Sequence, residues 1–132
     1  MKTVLIDFDG VLHSYTSGWQ GKANIPDDPN PGAIKFLKEL IADEEIEPVI
    51  WTSRVHWENN AELIEAENAV YVIKDWLAFH GLTSEEVNPL KITNNKPPAV
   101  MIIDDRAWQF VGLFPNTEAI RNFKPWKPGD RS

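Results

Sequence analysis

Short apolar runs alternate along the chain with longer stretches whose apolar residues recur at helical spacing. Val4-Leu5-Ile6 is a continuous apolar run that stops at Asp7. An unbroken run of this length suits a strand buried on both faces. Pro48-Val49-Ile50-Trp51 repeats the pattern and stops at Thr52-Ser53, and Val100-Met101-Ile102-Ile103 repeats it again and stops at Asp104-Asp105. Leu90-Lys91-Ile92-Thr93 predicts a weaker strand before the last of these. Ile34, Leu37, Leu40 and Ile41 form one helical stripe, with Asn30 expected as its N-cap and Pro31 in the first helical position. Val70, Ile73, Trp76 and Leu77 share one face of a second helical region between about Asn60 and His80, and Gly81 is its natural stop. Asn116 or Thr117 is expected to start a last short helix. Residues 13–30 are polar and aperiodic, with interspersed Gly and Pro, and predict a loop or small hairpin.

Strands that alternate with helices predict an α/β fold with a mostly parallel sheet. In such sheets ligands bind beyond the carboxyl ends of the strands. A parallel sheet would therefore gather Asp7, Thr52-Ser53 and Asp104-Asp105 on one rim.

Composition narrows the class without changing this picture. The 132 residues, 42% hydrophobic and 25% charged, suit one globular domain over 1–132, with 13–30 as a flap and 124–132 as a tail. No apolar run approaches the ~18 residues of a membrane helix. Val4-Leu5-Ile6 is too short for a signal-peptide core, so a cytoplasmic protein without a membrane partner is expected. The absence of cysteine removes disulfides, Cys-zinc sites and Cys nucleophiles. A formal charge of −7 disfavours indiscriminate binding to nucleic acid or anionic membranes. One local exception is the basic tail, where Arg121, Lys124, Lys127 and Arg131 stand among Phe123 and Trp126; its simpler reading is a solvated, frayed end.

Carboxylates crowded on one rim need a cation or protons. Two unit charges ~4 Å apart repel by about 4 kcal/mol at an effective dielectric of 20. Oxygen donors without His or Cys select a hard ion, and Mg²⁺ suits a site that leaves positions for water and a substrate phosphate. Asp7-Phe8-Asp9-Gly10 lacks the spacing of a calcium-binding loop.

The run from Val4 to Leu12, a hydrophobic strand entering Asp7-Phe8-Asp9-Gly10, resembles the first motif of the haloacid dehalogenase superfamily. Val49-Ile50-Trp51-Thr52 is similar to its second motif, and Ile102-Ile103-Asp104-Asp105 to its fourth, in the right order. The resemblance spans residues 3 to about 106 and points to small, capless, phage-associated members. It implies a Rossmann-like three-layer sandwich with a small flap and no large cap domain. It also implies a Mg²⁺-dependent phosphomonoester hydrolase acting through an aspartyl-phosphate.

On this resemblance Asp7 is the nucleophile and a metal ligand. Asp9 protonates the leaving oxygen, activates water and offers its backbone carbonyl to the metal, with a pKa raised by crowding against Asp7. Thr52 hydrogen-bonds a phosphate oxygen, Asp104 binds the metal directly, and Asp105 binds it directly or through water. The third motif is a lysine. Lys96 is the choice, with Lys91 as the alternative if Lys96 begins the fourth strand. Gly10, Ser53, Arg54 and Trp19 are candidate substrate contacts. Arg54 reads equally well as a surface salt bridge, and Arg106 as a partner for the local acids. Trp51 and Trp76 read as core, His80 as a helix-end cation, and His13 as near enough to the first motif to reach substrate.

Capless relatives have open sites, which suit phosphates on nucleic-acid ends, on nucleotides or on proteins. The expected partner is such a phosphorylated substrate. The alternative is a regulatory module that binds phosphate and Mg²⁺ with little or no turnover. The oligomeric state is left open.

Overall fold

The structure is a computed structural model and describes residues 1–129. Four strands form one all-parallel sheet: β1 (Lys2–Asp7), β2 (Ile46–Trp51), β3 (Lys91–Thr93) and β4 (Met101–Ile103), in the order β3-β2-β1-β4. Four α-helices accompany them: α1 (Ala33–Ala42), α2 (Asn60–Phe79), α3 (Ser84–Val87) and α4 (Thr117–Arg121). A short 3₁₀ turn, Ser53–Val55, follows β2. The α/β class and the parallel sheet agree with the alternating pattern, and the arrangement is Rossmann-like. No helix among the described residues is long and apolar enough to cross a membrane.

The sheet topology decides where a ligand belongs. β1, β2 and β3 step outward in one direction, and the chain then returns to place β4 on the far side of β1. The order reverses between β1 and β4, and crevices for ligands open at such switch points. In register, Ile6 lies opposite Ile50 and Ile103, so Asp7 and Asp104 leave adjacent strands at the same level.

One core cluster holds the helices to the sheet. Val4, Ile6 and Ile50 pack with Leu37 and Leu40 of α1 and with Ile73, Trp76 and Leu77 of α2. α3 adds Val87 to the same cluster. On the other side of the sheet Leu5 and Val49 are buried, but Ile102 beside Leu5 is 46% exposed. The connection from Thr93 to Met101 contains no helix, and α4 buries none of its residues. Helical packing is thus concentrated on one face.

Local chemistry corrects one predicted boundary. Gly32, in the left-handed region at φ 85°, precedes α1, and the helix starts at Ala33 rather than at Pro31. Asn30 does not cap it. Its amide instead donates to the carbonyls of Val11 (2.8 Å) and Gly10 (3.3 Å), pinning the turn after β1. α2 keeps its expected span, with the Asn59 side chain accepting from the Glu62 N–H. α3 was not anticipated, although Thr83 and Glu86 form a reciprocal capping box that is visible as Thr-x-x-Glu. Asn116 caps α4 as expected.

Candidate active site

Three carboxylates meet at the switch point. Oxygens of Asp7, Asp104 and Asp105 all lie within 4.8 Å of one another. β1 delivers the first and β4 the other two, from opposite ends of the sequence. Burial pushes the Asp7 carboxyl up to about 8, helped by the hydrogen bond that its protonated form donates to Asp105 and by the charges of Asp104 and Asp105. Asp105 Oδ1 is buried without a hydrogen-bond partner. A buried acceptor left unpaired costs free energy until a donor or cation reaches it. The all-oxygen donor set, the shared proton and the orphaned oxygen together fit a hard divalent cation such as Mg²⁺.

Gly10 makes this approach possible. Its backbone sits at φ 90°, and a Cβ there would overlap the Asp105 carboxylate. It borders the triad through Asp105.

Asp9 faces a different environment. Arg54 grips it with two hydrogen bonds, Nε to Oδ2 at 2.8 Å and Nη2 to Oδ1 at 2.9 Å. His13 Nδ1 lies 2.8 Å from Oδ1. The backbone N–H of Asp27 donates to His13 Nε2 at 3.2 Å, so Nε2 is the acceptor and Nδ1 carries the proton given to Asp9. Burial pulls the Asp9 pKa upward, but the bonds from His13 and Arg54 and the guanidinium charge outweigh it and hold the carboxyl below its ordinary value. This reverses the expected direction. Burial, with crowding by Asp104 and Asp105, raises Asp7, whereas the Asp9 side chain is paired with a cation outside the triad. Asp9 is accordingly absent from the carboxylate cluster.

Arg54 is fully buried, not a surface salt bridge. Its Nη1 donates to the carbonyls of Gly21, Lys22 and Asn24 at 2.9–3.1 Å. Asp9 and these carbonyls engage all three of its nitrogens. Its guanidinium carbon lies 5.0 Å from the Trp19 ring centre. Arg54 therefore ties the β1–α1 connection to Asp9, and it is buried rather than lining the cleft.

A cleft of about 510 Å³ opens over these groups. Asp7, Asp9 and Asp104 line its floor, with Thr52 and Ser53 at the end of β2. Thr52 Oγ1 accepts from the Arg54 N–H at 3.2 Å, which leaves its hydroxyl hydrogen free to point into the cleft. Tyr15, Trp19 and Trp51 supply aromatic walls. Trp51 read as core; it is instead half-buried, with its indole N–H on the Asn94 carbonyl at 3.1 Å. Trp76 is core as expected.

Sequence reasoning missed His56, Asn94 and Tyr15 as cleft residues. The chain-level signal for Tyr15 was absent, because its φ of 62° is set by the loop around it. Arg106 was expected to pair with local acids. Only its backbone N–H bonds Asp104 Oδ1, at 2.8 Å, while its side chain borders the cleft.

Lys96 lies beyond the end of β3, with Nζ 4.6 Å from the centre of the Trp51 ring, and does not line the cleft. It borders a separate depression with Glu47 and Val49. Lys91, at the start of β3, is bound to Glu47 Oε2 at 3.1 Å. Neither lysine borders the acids.

No family model matches the chain, and comparisons with characterised proteins and with solved structures likewise find no match.

Proposed function

We propose that the protein is a Mg²⁺-dependent phosphomonoester hydrolase of the haloacid dehalogenase type, capless, cytoplasmic, and working through an aspartyl-phosphate on Asp7. In this reading the sheet is the centre of a three-layer sandwich and the β1–α1 connection is its flap. The observation that carries the reading is the meeting of Asp7 with Asp104 and Asp105 at the reversal of strand order.

Asp7, Asp104 and Asp105 would hold the Mg²⁺, with the Asp9 backbone carbonyl as a further donor. When bound, such an ion would supply the charge neutralisation that lets Asp7 give up its proton and a phosphate approach. An Asp7 oxygen then attacks phosphorus, the ester P–O bond breaks, and the leaving oxygen takes a proton from solvent water at the open end of the cleft. Water next attacks the same phosphorus, releasing phosphate and restoring the carboxylate. Asp9, held ionised by Arg54 and His13, accepts the proton of that water and is poorly set as the initial proton donor. Thr52 and Ser53 donate to phosphate oxygens. Arg106 provides the cation at the cleft edge that neither Lys96 nor Lys91 supplies.

A second reading has its own observation. The lock on Asp9 and the lack of a cleft lysine suit a module that binds phosphate and Mg²⁺ without turnover. A Mg²⁺-supplemented screen of an aryl phosphate, nucleoside monophosphates and terminally phosphorylated oligonucleotides separates the two. Hydrolysis abolished by Asp7→Asn supports the enzyme. Binding of the esters with no phosphate released supports the module.

A further inference from the structure

The stretch after β4 is unlike the rest of the chain. Between the flanking acids Asp104-Asp105 and Asp130 it carries Arg106, Arg121, Lys124 and Lys127 against Glu118 alone, in a protein of net charge −7. It also leaves large rings in solvent: Trp108 is 52% exposed, Phe114 86% and Phe123 43%. Exposed apolar groups on this scale mark an interaction surface.

The surface leads away from the acidic triad. The cleft adjoins a second depression of about 480 Å³, and the two share Tyr15 and Arg106. Trp126 and Lys127 form its outer wall, and Asp105 and Gly10 its inner one. A third depression, about 170 Å³, lies between Trp108 and Phe123 and again has Arg106 on its border. One arginine is thus the common wall of three adjoining hollows, and each hollow has an aromatic ring at hand.

We propose that residues 106–127 form a binding track for a single-stranded polynucleotide whose phosphorylated end enters the cleft. This rests on the phosphatase reading and names its substrate class. Alternating cations and exposed rings are what single strands require: the cations follow the backbone, and bases stack on aromatic faces without regard to sequence. Arg121 closes α4 and Lys124 follows three residues later, both solvent-exposed beside Phe123. The acidic remainder of the protein repels phosphate elsewhere and confines the strand to this strip. A second copy of the chain suits the strip less well. Facing copies would set like charges together, and residues 107–116 offer no regular strand or helix to pair. Arg131, the last member of the basic tail, lies outside the described residues.

The test uses the full chain, free of metal, and a fluorescently labelled single strand of about 12 nucleotides without a terminal phosphate, read by anisotropy. Binding is expected at low salt, with log K falling by about 0.7 per log unit of salt for each phosphate contacted. The double variant Arg121→Glu, Lys124→Glu should bind about tenfold more weakly and lose about 1.4 from that slope. Trp126→Ala should lose about fivefold or more through one stacking platform. The double variant should hydrolyse a small aryl phosphate like the wild type. No anisotropy change at low salt, or a double variant that binds like the wild type, overturns the track. A dimer in sedimentation that Arg121→Glu, Lys124→Glu leaves intact and that blocks the strand overturns it too. Oligonucleotide binding without aryl phosphate turnover would leave the track standing and remove the enzyme; turnover without binding would do the reverse.

Discussion

Mg²⁺ affinity should depend steeply on pH, and the dependence follows from one carboxyl. Asp7 keeps its proton to about pH 8 in the metal-free fold, against an ordinary value of 3.8. A metal ion that binds the carboxylate must displace that proton, so apparent affinity falls tenfold per pH unit below the pKa. With one proton displaced at a pKa of about 8, affinity should rise about fiftyfold from pH 6 to pH 8 and then level off, a change of about 2.3 kcal/mol. At pH 7 each Mg²⁺ bound should release about 0.9 proton. Titration calorimetry in buffers of different ionisation enthalpy reads both quantities. In Asp7→Asn, binding should weaken and proton release vanish. Tight Mg²⁺ binding that is flat from pH 6 to 9, with no proton released, would refute the reasoning. The same proton works against the metal-free fold at high pH. The folded state holds it more tightly than the unfolded chain, so stability declines as pH rises from about 4 to 8 and is restored by Mg²⁺.

Arg54→Met removes the partner of a largely buried carboxylate and should cost about 3–5 kcal/mol in urea denaturation; it should also open residues 20–24 to protease. Gly10→Ala meets both a φ of 90° and the Asp105 carboxylate, so Mg²⁺ affinity should fall at least tenfold by calorimetry while far-UV circular dichroism stays native. Lys96→Met should leave kcat/KM on an aryl phosphate within about threefold of wild type, because the ammonium lies over Trp51 outside the cleft. Arg106→Ala should raise KM about tenfold on the same substrate, a loss of about 1.4 kcal/mol of phosphate binding.

The strands and the two long helices were legible because each carries its period openly. The unbroken runs at Val4–Ile6 and Val49–Trp51 are double-sided burial written in sequence, and their polar endings foretold which groups share a rim. Asp7, Asp104 and Asp105 converge because a parallel sheet puts all strand ends on one side. The fate of Asp9 was not legible. It depends on Arg54, whose path to Asp9 runs beneath a loop held by three backbone carbonyls, and backbone carbonyls leave no mark on residue identity. Lys96 does not begin the fourth strand, as its choice required, but the direction of its side chain depends on the half-buried ring of Trp51. Asn30 reads as a helix cap by residue type, and only the fold reveals that Gly10 and Val11 compete for its amide. The basic tail reads as a frayed end because the hollows that Arg106 borders beside it are visible only in the fold.

The central claim is that Asp7 becomes covalently phosphorylated beside a metal held by Asp104 and Asp105. Acid quench of the wild-type protein during turnover of a ³²P-labelled phosphomonoester, followed by peptide mapping, tests it directly. Label on the peptide containing Asp7, dependent on Mg²⁺, removed by hydroxylamine and absent from Asp7→Asn, is the predicted result. Steady phosphate release with no labelled protein, or label carried by a different peptide, would contradict it.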